Sequence, residues 1–542
     1  MNTRTLKTVR RWGDLNVNGL AILPLLAVLF ALYGMFALHR PFLSPATAVH
    51  VYDEGYINAF SMRMLDGQML PYVDAVSNRG PMLYWVAATA YALGPPMTWV
   101  SMRVLALVLC LGTIILTYLL ATTARKPLVG AVGALGVLFL QGCYIGDWAD
   151  GLGYGGEMLI NVFGLSAVIV ASYALAAHRA APHLPGLFAA GILSALALMS
   201  KHFGVVIVIA LLPWIVAASR SRPASHPWLP VVCFLAGWLS IVLIVVLRYA
   251  AAGELQTFVY YFSTYNKDVY MAPYADAPVL RLWAKPFLEH PAITLLAGAL
   301  ALFGLVKVLP ERRLSWKALD DRGWLLTVTL MAIGAGLVAN TTLRDFKHYY
   351  VQVIPWFALL AGFFIYEVLE RFRVAGFWRR TLEFAPLFLL ILFCNFSLEA
   401  RLKGIVPPSR PLVCDDIARV TDASDKIFVW GFRPDLHTFC QRRPASRFVM
   451  SEVPAGFVPW DVEASPAEDR ARVAPGSQQL LMADLSESRP RLIVEAAGSL
   501  GGRGLSGVAG MDAYLATEFC PPVNARPGLR FFLRKAPEGC SY

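Results

Sequence analysis

The sequence predicts an α-helical polytopic membrane protein of about 11 transmembrane helices, with a small α/β C-terminal domain outside the cytoplasm. Three observations lead there. Of 542 residues, 57% are hydrophobic and only 15% are charged, against roughly 25% in a soluble domain, and mean hydropathy is +0.55. The apolar residues gather into runs long enough to cross about 30 Å of hydrocarbon. The basic residues cluster in short segments between those runs. This composition excludes an ordinary cytosolic enzyme, and 31 Phe, 14 Trp and 21 Tyr exclude a disordered chain. The net charge of +11 sits largely beside apolar runs, where it reports topology. Membrane lipid is therefore the expected surroundings, and nucleic acid is not an expected partner.

Spans are predicted near 19–38, 98–123, 127–142, 158–177, 184–200, 202–218, 228–251, 291–309, 324–341, 350–370 and 382–398. Ahead of the first, Arg4, Lys7, Arg10 and Arg11 have the charge order of a signal peptide. The apolar run is too long for one and no small-residue cleavage site follows, so it reads as a membrane helix with a cytoplasmic N-terminus. A twelfth run, 81–93, is short, aromatic and ended by Pro95-Pro96. It either crosses the bilayer or lies along the interface.

Charge decides between these. With 81–93 interfacial, Arg125-Lys126, Arg220, Arg222, Arg312-Arg313, Lys317, Arg371, Arg373, Arg379 and Arg380 all fall in cytoplasmic loops. With 81–93 spanning, every later loop inverts and these clusters face outward, against the positive-inside bias. The reading is therefore a membrane domain over 1–398, whose first outer loop is 39–97, and an extracytoplasmic domain over 399–542.

The tail carries Cys414, Cys440, Cys520 and Cys540, which permit two disulfides in an oxidising compartment, while the pairing stays open. Its β-rich runs at 426–430, 446–450, 491–495 and 529–533 alternate with Pro, Gly and Asp turns, as in a small α/β domain. His437 and the tail cysteines lack zinc spacing.

This topology collects chemistry on the outer face. The first outer loop holds Asp53, Glu54, Asp66, Asp74, Arg79 and Tyr84, and the second holds Asp147, Asp150 and Glu157. Lys201-His202 separates two outer helix ends, Arg344, Lys347, His348 and Tyr349 precede the tenth span, and Arg103 opens the second. Carboxylates facing cations suit transfer of a group from an anionic lipid carrier to a hydroxyl. The carboxylate takes the acceptor's proton, and the cations stabilise the departing phosphate. The two carboxylates could instead hold a divalent metal against that phosphate. Aromatic residues from Phe258 to Tyr274 either line a groove or form a membrane belt. Arg103 could also serve only as an ion-pair partner of Asp66 or Asp74. The run from Gly151 to Gly156 is a turn rather than a dinucleotide fingerprint, because no strand precedes it.

Taken together, Asp53-Glu54 after the first span, the Gly80-Pro-x-x-Tyr84-Trp85 segment, the carboxylate opening the fourth span and the His348-Tyr-Tyr-x-x-x-x-Pro355 stretch resemble the polytopic GT-C glycosyltransferases. The bacterial proteins similar to protein O-mannosyltransferases and lipid A aminoarabinose transferases are the nearest in pattern. The resemblance covers about 40–400. It implies a GT-C fold, a bacterial inner-membrane location and inverting transfer from a polyprenyl-phosphate sugar to a periplasmic lipid, glycan or protein. Asp53 is then the base, Glu157 the second acidic position and 81–93 a juxtamembrane helix. Members often carry Lys-Pro-Pro or Lys-Gly-Pro where this chain has Asn78-Arg79-Gly80-Pro81, so Arg79 would stand in for that lysine.

The expected site is therefore Asp53, Glu54 and Glu157 for catalysis, with Arg79, Tyr84, Arg103, Lys201, His202, Arg344, Lys347, His348 and Tyr349 binding substrate. A transporter or flippase of lipid-linked sugars is the competing function. Charges concentrated at helix ends rather than at mid-membrane favour the enzyme. A third reading, an assembly protein built around the tail, needs no outer-loop carboxylates.

Overall fold

A computed structural model describes residues 51–94, 100–124, 126–140, 153–176, 181–222, 226–271, 291–309, 315–341, 347–371, 412–459, 461–537 and 539–540. The expected spans 19–38 and 382–398 lie outside these residues.

The membrane part is a bundle of helices: α1 Val51–Leu65, α2 Pro81–Leu93, α3 Val100–Thr123, α4 Pro127–Phe139, α5 Gly156–Ala174, α6 Leu184–Ser200, α7 Val205–Ser221, α8 Leu229–Ala251, α9 Leu255–Val259, α10 Pro291–Val308, α11 Trp316–Asp321, α12 Gly323–Thr341 and α13 Ile354–Arg371. Among the described residues, four stretches are long and apolar enough to cross a membrane: Ser101–Thr123, Gly156–Ala174, His202–Ser221 and Leu229–Ala251. Shorter apolar helices cover Leu128–Val137, Leu184–Ser200, Thr294–Val308 and Gly323–Ala339. The total of about 11 spans therefore stays a proposal.

Local sequence explains the breaks. Pro81 starts α2 at its first turn, where the missing N–H is harmless. The 13 residues of α2 measure about 20 Å, well short of a bilayer core. Lys201 is extended, with φ −161° and ψ 144°, and this ends α6 before a 3-10 turn leads into α7. Helix α6 packs on both α5 and α8, α13 packs on α4, and α7 packs on α11 and α12. Their facing Leu, Val, Ala, Ile and Trp side chains form a buried core that includes Trp214 and Trp356.

The tail is a small α/β unit. Its sheet has the order β2-β1-β3-β5-β4, from β1 Lys426–Trp430, β2 Arg443–Pro444, β3 Leu492–Glu495, β4 Val523–Arg526 and β5 Leu529–Leu533. Strand β1 is parallel to β2 and β3, and β5 runs antiparallel to β3 and β4. Cys414 is bonded to Cys440, and Cys520 to Cys540. One sequence expectation fails: 446–450 is not a strand. Its polar groups are committed elsewhere, since Ser446 Oγ donates to Asp484 and the Arg447 carbonyl accepts from Val76 N of the first outer loop. Strand β4 was not anticipated, because it is a half-exposed edge carrying Asn524 and Arg526 instead of apolar alternation.

The tail sits on the first outer loop. Asp66 pairs with Arg443 at 2.7 Å and with Lys426 at 3.7 Å. The short helix Asp435–Phe439 lies across α1, where a Cβ on Gly55 would come within 2.8 Å of the Asp435 Cα. Only a residue without a side chain admits that approach.

Candidate active site

Asp53 and Glu54 share the first turn of α1, where the helix dipole favours carboxylates. Consecutive helical residues point about 100° apart, and the two diverge accordingly. Glu54 turns inward and meets Arg103 of α3 at 3.1 Å, with side-chain exposures of 6% and 3%. Asp53 turns toward Arg79 at 2.6 Å and keeps 39% of its side chain open. Of the two neighbours, Asp53 is the open one. Arg103 pairs with neither of the acids considered for it. Asp66 binds the tail, and Asp74 accepts from the Leu70 N–H at 2.7 Å.

A hydrogen-bonded loop fixes Arg79. Tyr72 Oη donates to the Arg79 carbonyl at 2.6 Å, the Arg79 N–H donates to Ser77 Oγ at 3.1 Å, and Tyr56 Oη donates to the Val76 carbonyl at 3.0 Å. Tyr84 Oη and Ser77 Oγ share a hydrogen bond of 2.5 Å, and Asn266 Nδ2 donates to the Asn78 carbonyl at 2.6 Å. The guanidinium itself lies 5.5 Å from the Tyr56 ring centroid. Gly80 follows, and a Cβ there would stand 2.1 Å from the Met199 carbonyl oxygen. That contact sets the Arg79 loop against the end of α6, next to Lys201.

Lys201 Nζ forms an ion pair with Glu157 in the first turn of α5 and lies 4.1 Å from the Tyr349 ring centroid. His348, on the 3-10 turn Lys347–Gln352, is within electrostatic range of Glu157, Lys201, Asp53 and Arg79. One cluster thus joins residues from the first outer loop, α5, the α6–α7 junction and the 3-10 turn. Burial resists ionisation of Asp53, but Arg79 first, then His348 and Lys201, outweigh it and hold the carboxyl well below the usual carboxylate range. Burial pushes the His348 imidazole down, with Glu157 and Asp53 opposing.

Other expected site residues are placed differently. Tyr84 is fully buried and stacks on Phe60 at 3.7 Å, behind the Arg79 loop. His202 turns away, with Nε2 2.6 Å from the Phe262 carbonyl. Tyr349 is buried beneath Lys201. The Lys347 backbone belongs to the 3-10 turn and its side chain lies outside the described residues, as do Arg344, Asp147 and Asp150. The segment after α9 continues as π-helical turns, Tyr260–Thr264 and Asn266–Tyr270. Its rings join Tyr72 and Tyr249 in a buried cluster with the tail's Phe428 and Trp430. Tyr56, Tyr72 and Ser77 hold the Arg79 loop without having been expected to. Tyr56 had a signal in its spacing from Asp53, whereas Asn266 had none.

Among the described residues, no group of three or more His, Cys, Asp or Glu side chains is placed to hold a metal ion. Asp53 and Glu157 already carry Arg79 and Lys201, so the donor set does not fit a divalent cation as it stands.

No protein-family model and no curated protein matches the chain. Solved structures do. The oligosaccharyltransferase of Archaeoglobus fulgidus in its apo form superposes with a TM-score of 0.51 at 10% identity, over 89% of this chain and 70% of that one. The same organism's AglB with an inhibitory peptide and a dolichol-phosphate gives 0.48 at 9% identity, covering 96% and 75%. ArnT from Cupriavidus metallidurans bound to undecaprenyl phosphate gives 0.45 at 15%, covering 97% and 100%. At such identities the likeness is one of fold, and it is the GT-C fold the sequence led us to expect.

Proposed function

We propose that the chain is a membrane glycosyltransferase that moves a sugar from a polyprenyl-phosphate donor to a hydroxyl of a periplasmic lipid, glycan or protein acceptor, with inversion at the anomeric carbon. One observation carries this reading. An open carboxylate, Asp53, is held at 2.6 Å from a fixed guanidinium, beside a second ion pair, Glu157–Lys201, at one end of the bundle. The fold shared with an oligosaccharyltransferase supports it.

In the free protein Asp53 is a weak base, because Arg79 favours its charged form. A donor phosphate carries the charge that a guanidinium binds best, through two parallel N–H···O bonds. Its arrival would draw Arg79 away and restore the basicity of Asp53 only when donor is present. The acceptor oxygen then attacks the anomeric carbon as its proton passes to Asp53. The carbon–oxygen bond to phosphate breaks, and the electron pair leaves with the polyprenyl phosphate, which Arg79, Lys201, Lys347 and Arg344 stabilise. Glu157 holds Lys201 in place, and the buried Glu54–Arg103 pair anchors α1 to α3. The tail's two disulfides support its assignment to an oxidising periplasm, with the N-terminus in the cytoplasm of a bacterial inner membrane.

Mass spectrometry of envelope lipids and glycans tests the function. A deletion strain should lack one sugar modification, restored by the wild-type gene and not by Asp53→Asn at equal membrane abundance. Full restoration by Asp53→Asn would remove the base assignment. Reconstituted protein that moves a labelled lipid-linked sugar between leaflets without consuming it would establish the flippase instead.

A further inference from the structure

A second polar construction stands at the other end of α7 from the carboxylate cluster. Arg220 is in the last turn of α7, fifteen residues beyond Val205, about 22 Å along the helix axis. Its guanidinium carbon lies 4.5 Å from the Trp316 ring centroid and 5.2 Å from that of Trp228. Both indoles remain exposed, at 43% and 54%. The nearby carboxylate is occupied by other groups. Arg222 binds Asp320 through both oxygens at 2.8 Å, and Ser221 Oγ donates to it at 2.8 Å. Among the described residues no acid pairs with Arg220.

That arrangement is rigid. Arg222 also donates to the Leu175 and Ala176 carbonyls beyond the end of α5, at 2.7 Å and 3.3 Å. Asp320 lies one turn after Trp316 on α11, so the same staple holds Trp316 over Arg220. Indole rings take no conventional hydrogen bond from a guanidinium, so its N–H edge stays available to another partner. The complement of that edge is an oxyanion able to accept two parallel hydrogen bonds. Lys317, exposed and adjacent to Trp316, adds a second cation. Indoles at the ends of apolar helices mark the headgroup level, and the oxyanion abundant at that depth is a phospholipid phosphate.

We propose that Arg220, clamped by Trp228 and Trp316 and assisted by Lys317, is a binding site for the headgroup of an anionic phospholipid in the leaflet opposite the Asp53 site. The inference is independent of the proposed transfer. The site would fix the depth and tilt of α7, whose other end meets the Lys201 turn.

The test uses the full chain in nanodiscs of equal phosphatidylglycerol and phosphatidylcholine, with retained lipids identified by native mass spectrometry. The wild type should retain phosphatidylglycerol over phosphatidylcholine by about fivefold, the ratio one interfacial cation supports. Arg220→Gln should lose that preference. Lys126→Gln should keep it, since Lys126 stacks on a different ring, Tyr366, at 3.7 Å. Should Arg220→Gln fold poorly, the exposed Lys317→Gln reads the same site and should show a smaller drop. Equal retention of the two lipids by the wild type would overturn the proposal, as would an undiminished preference in Arg220→Gln and Lys317→Gln. Displacement of the lipid by inorganic phosphate would also overturn it, by making this a site for free phosphate.

Discussion

Asp53 and Glu54 are adjacent, chemically alike and opposite in situation. Breaking a buried ion pair leaves a charge without its partner, at a cost of about 3–5 kcal/mol. Glu54→Gln should therefore lower the thermal unfolding midpoint in detergent markedly, whereas Asp53→Asn, at a half-open position, should shift it little. Equal shifts would contradict this division of labour. The pH dependence separates the same residues. Arg79 holds the Asp53 carboxyl down, so Arg79→Ala lets its pKa rise toward the ordinary value. The acidic limb of kcat/KM, which reports the free enzyme, should then move to higher pH, with a raised KM for donor. An unmoved limb would mean that Asp53 is not the titrating base. The clustering of these residues was legible in the sequence, because it follows from loop order. Which of two neighbouring acids is open and which buried was not, because that depends on the rotation of α1 about its own axis. The burial of Tyr84 was not legible for a related reason: its hydroxyl is shared with Ser77, a contact no spacing rule announces.

Helix ends at Pro81, Lys201 and Arg222 follow from local chemistry and were legible within a few residues. Three of the tail's strands were legible too, because 426–430, 492–495 and 529–533 are apolar runs bounded by turns. The failures have physical causes. The 446–450 run is apolar because it is buried against Asp484 and the outer loop, and burial without ladder bonds looks like a strand in sequence. In the tail, His437 is buried with Nδ1 donating to the Arg442 carbonyl at 3.1 Å, and burial pushes its pKa down to about 4. A histidine neutral when folded and free to protonate when unfolded costs stability as pH falls. The tail should therefore be at full stability above about 6.5 and weaken progressively down to about 4, by up to a few kcal/mol. Chemical unfolding of the chain followed by hydrogen–deuterium exchange in the β1 segment 426–430 should show that slope, and His437→Gln should flatten it. A slope unchanged in His437→Gln would refute the assignment. Reducing the two disulfides should cost about 2–4 kcal/mol each by the same readout, and no loss on reduction would deny them a structural role.

At the scale of the molecule, the tail does not hang free. Asp66 with Arg443, Val76 with the Arg447 carbonyl, and Gly55 beneath Asp435 clamp it to the loop that carries Asp53 and Arg79. Composition made the membrane class legible. This docking was not, since it joins residues more than 350 positions apart through contacts that have no periodicity. The central claim is that Asp53 accepts the acceptor's proton once donor phosphate has engaged Arg79. Its most direct test is single-turnover cleavage of a labelled polyprenyl-phosphate sugar by purified protein in liposomes supplied with envelope acceptor. Asp53→Asn should bind the donor as the wild type does and release no polyprenyl phosphate. Release at the wild-type rate would contradict the account.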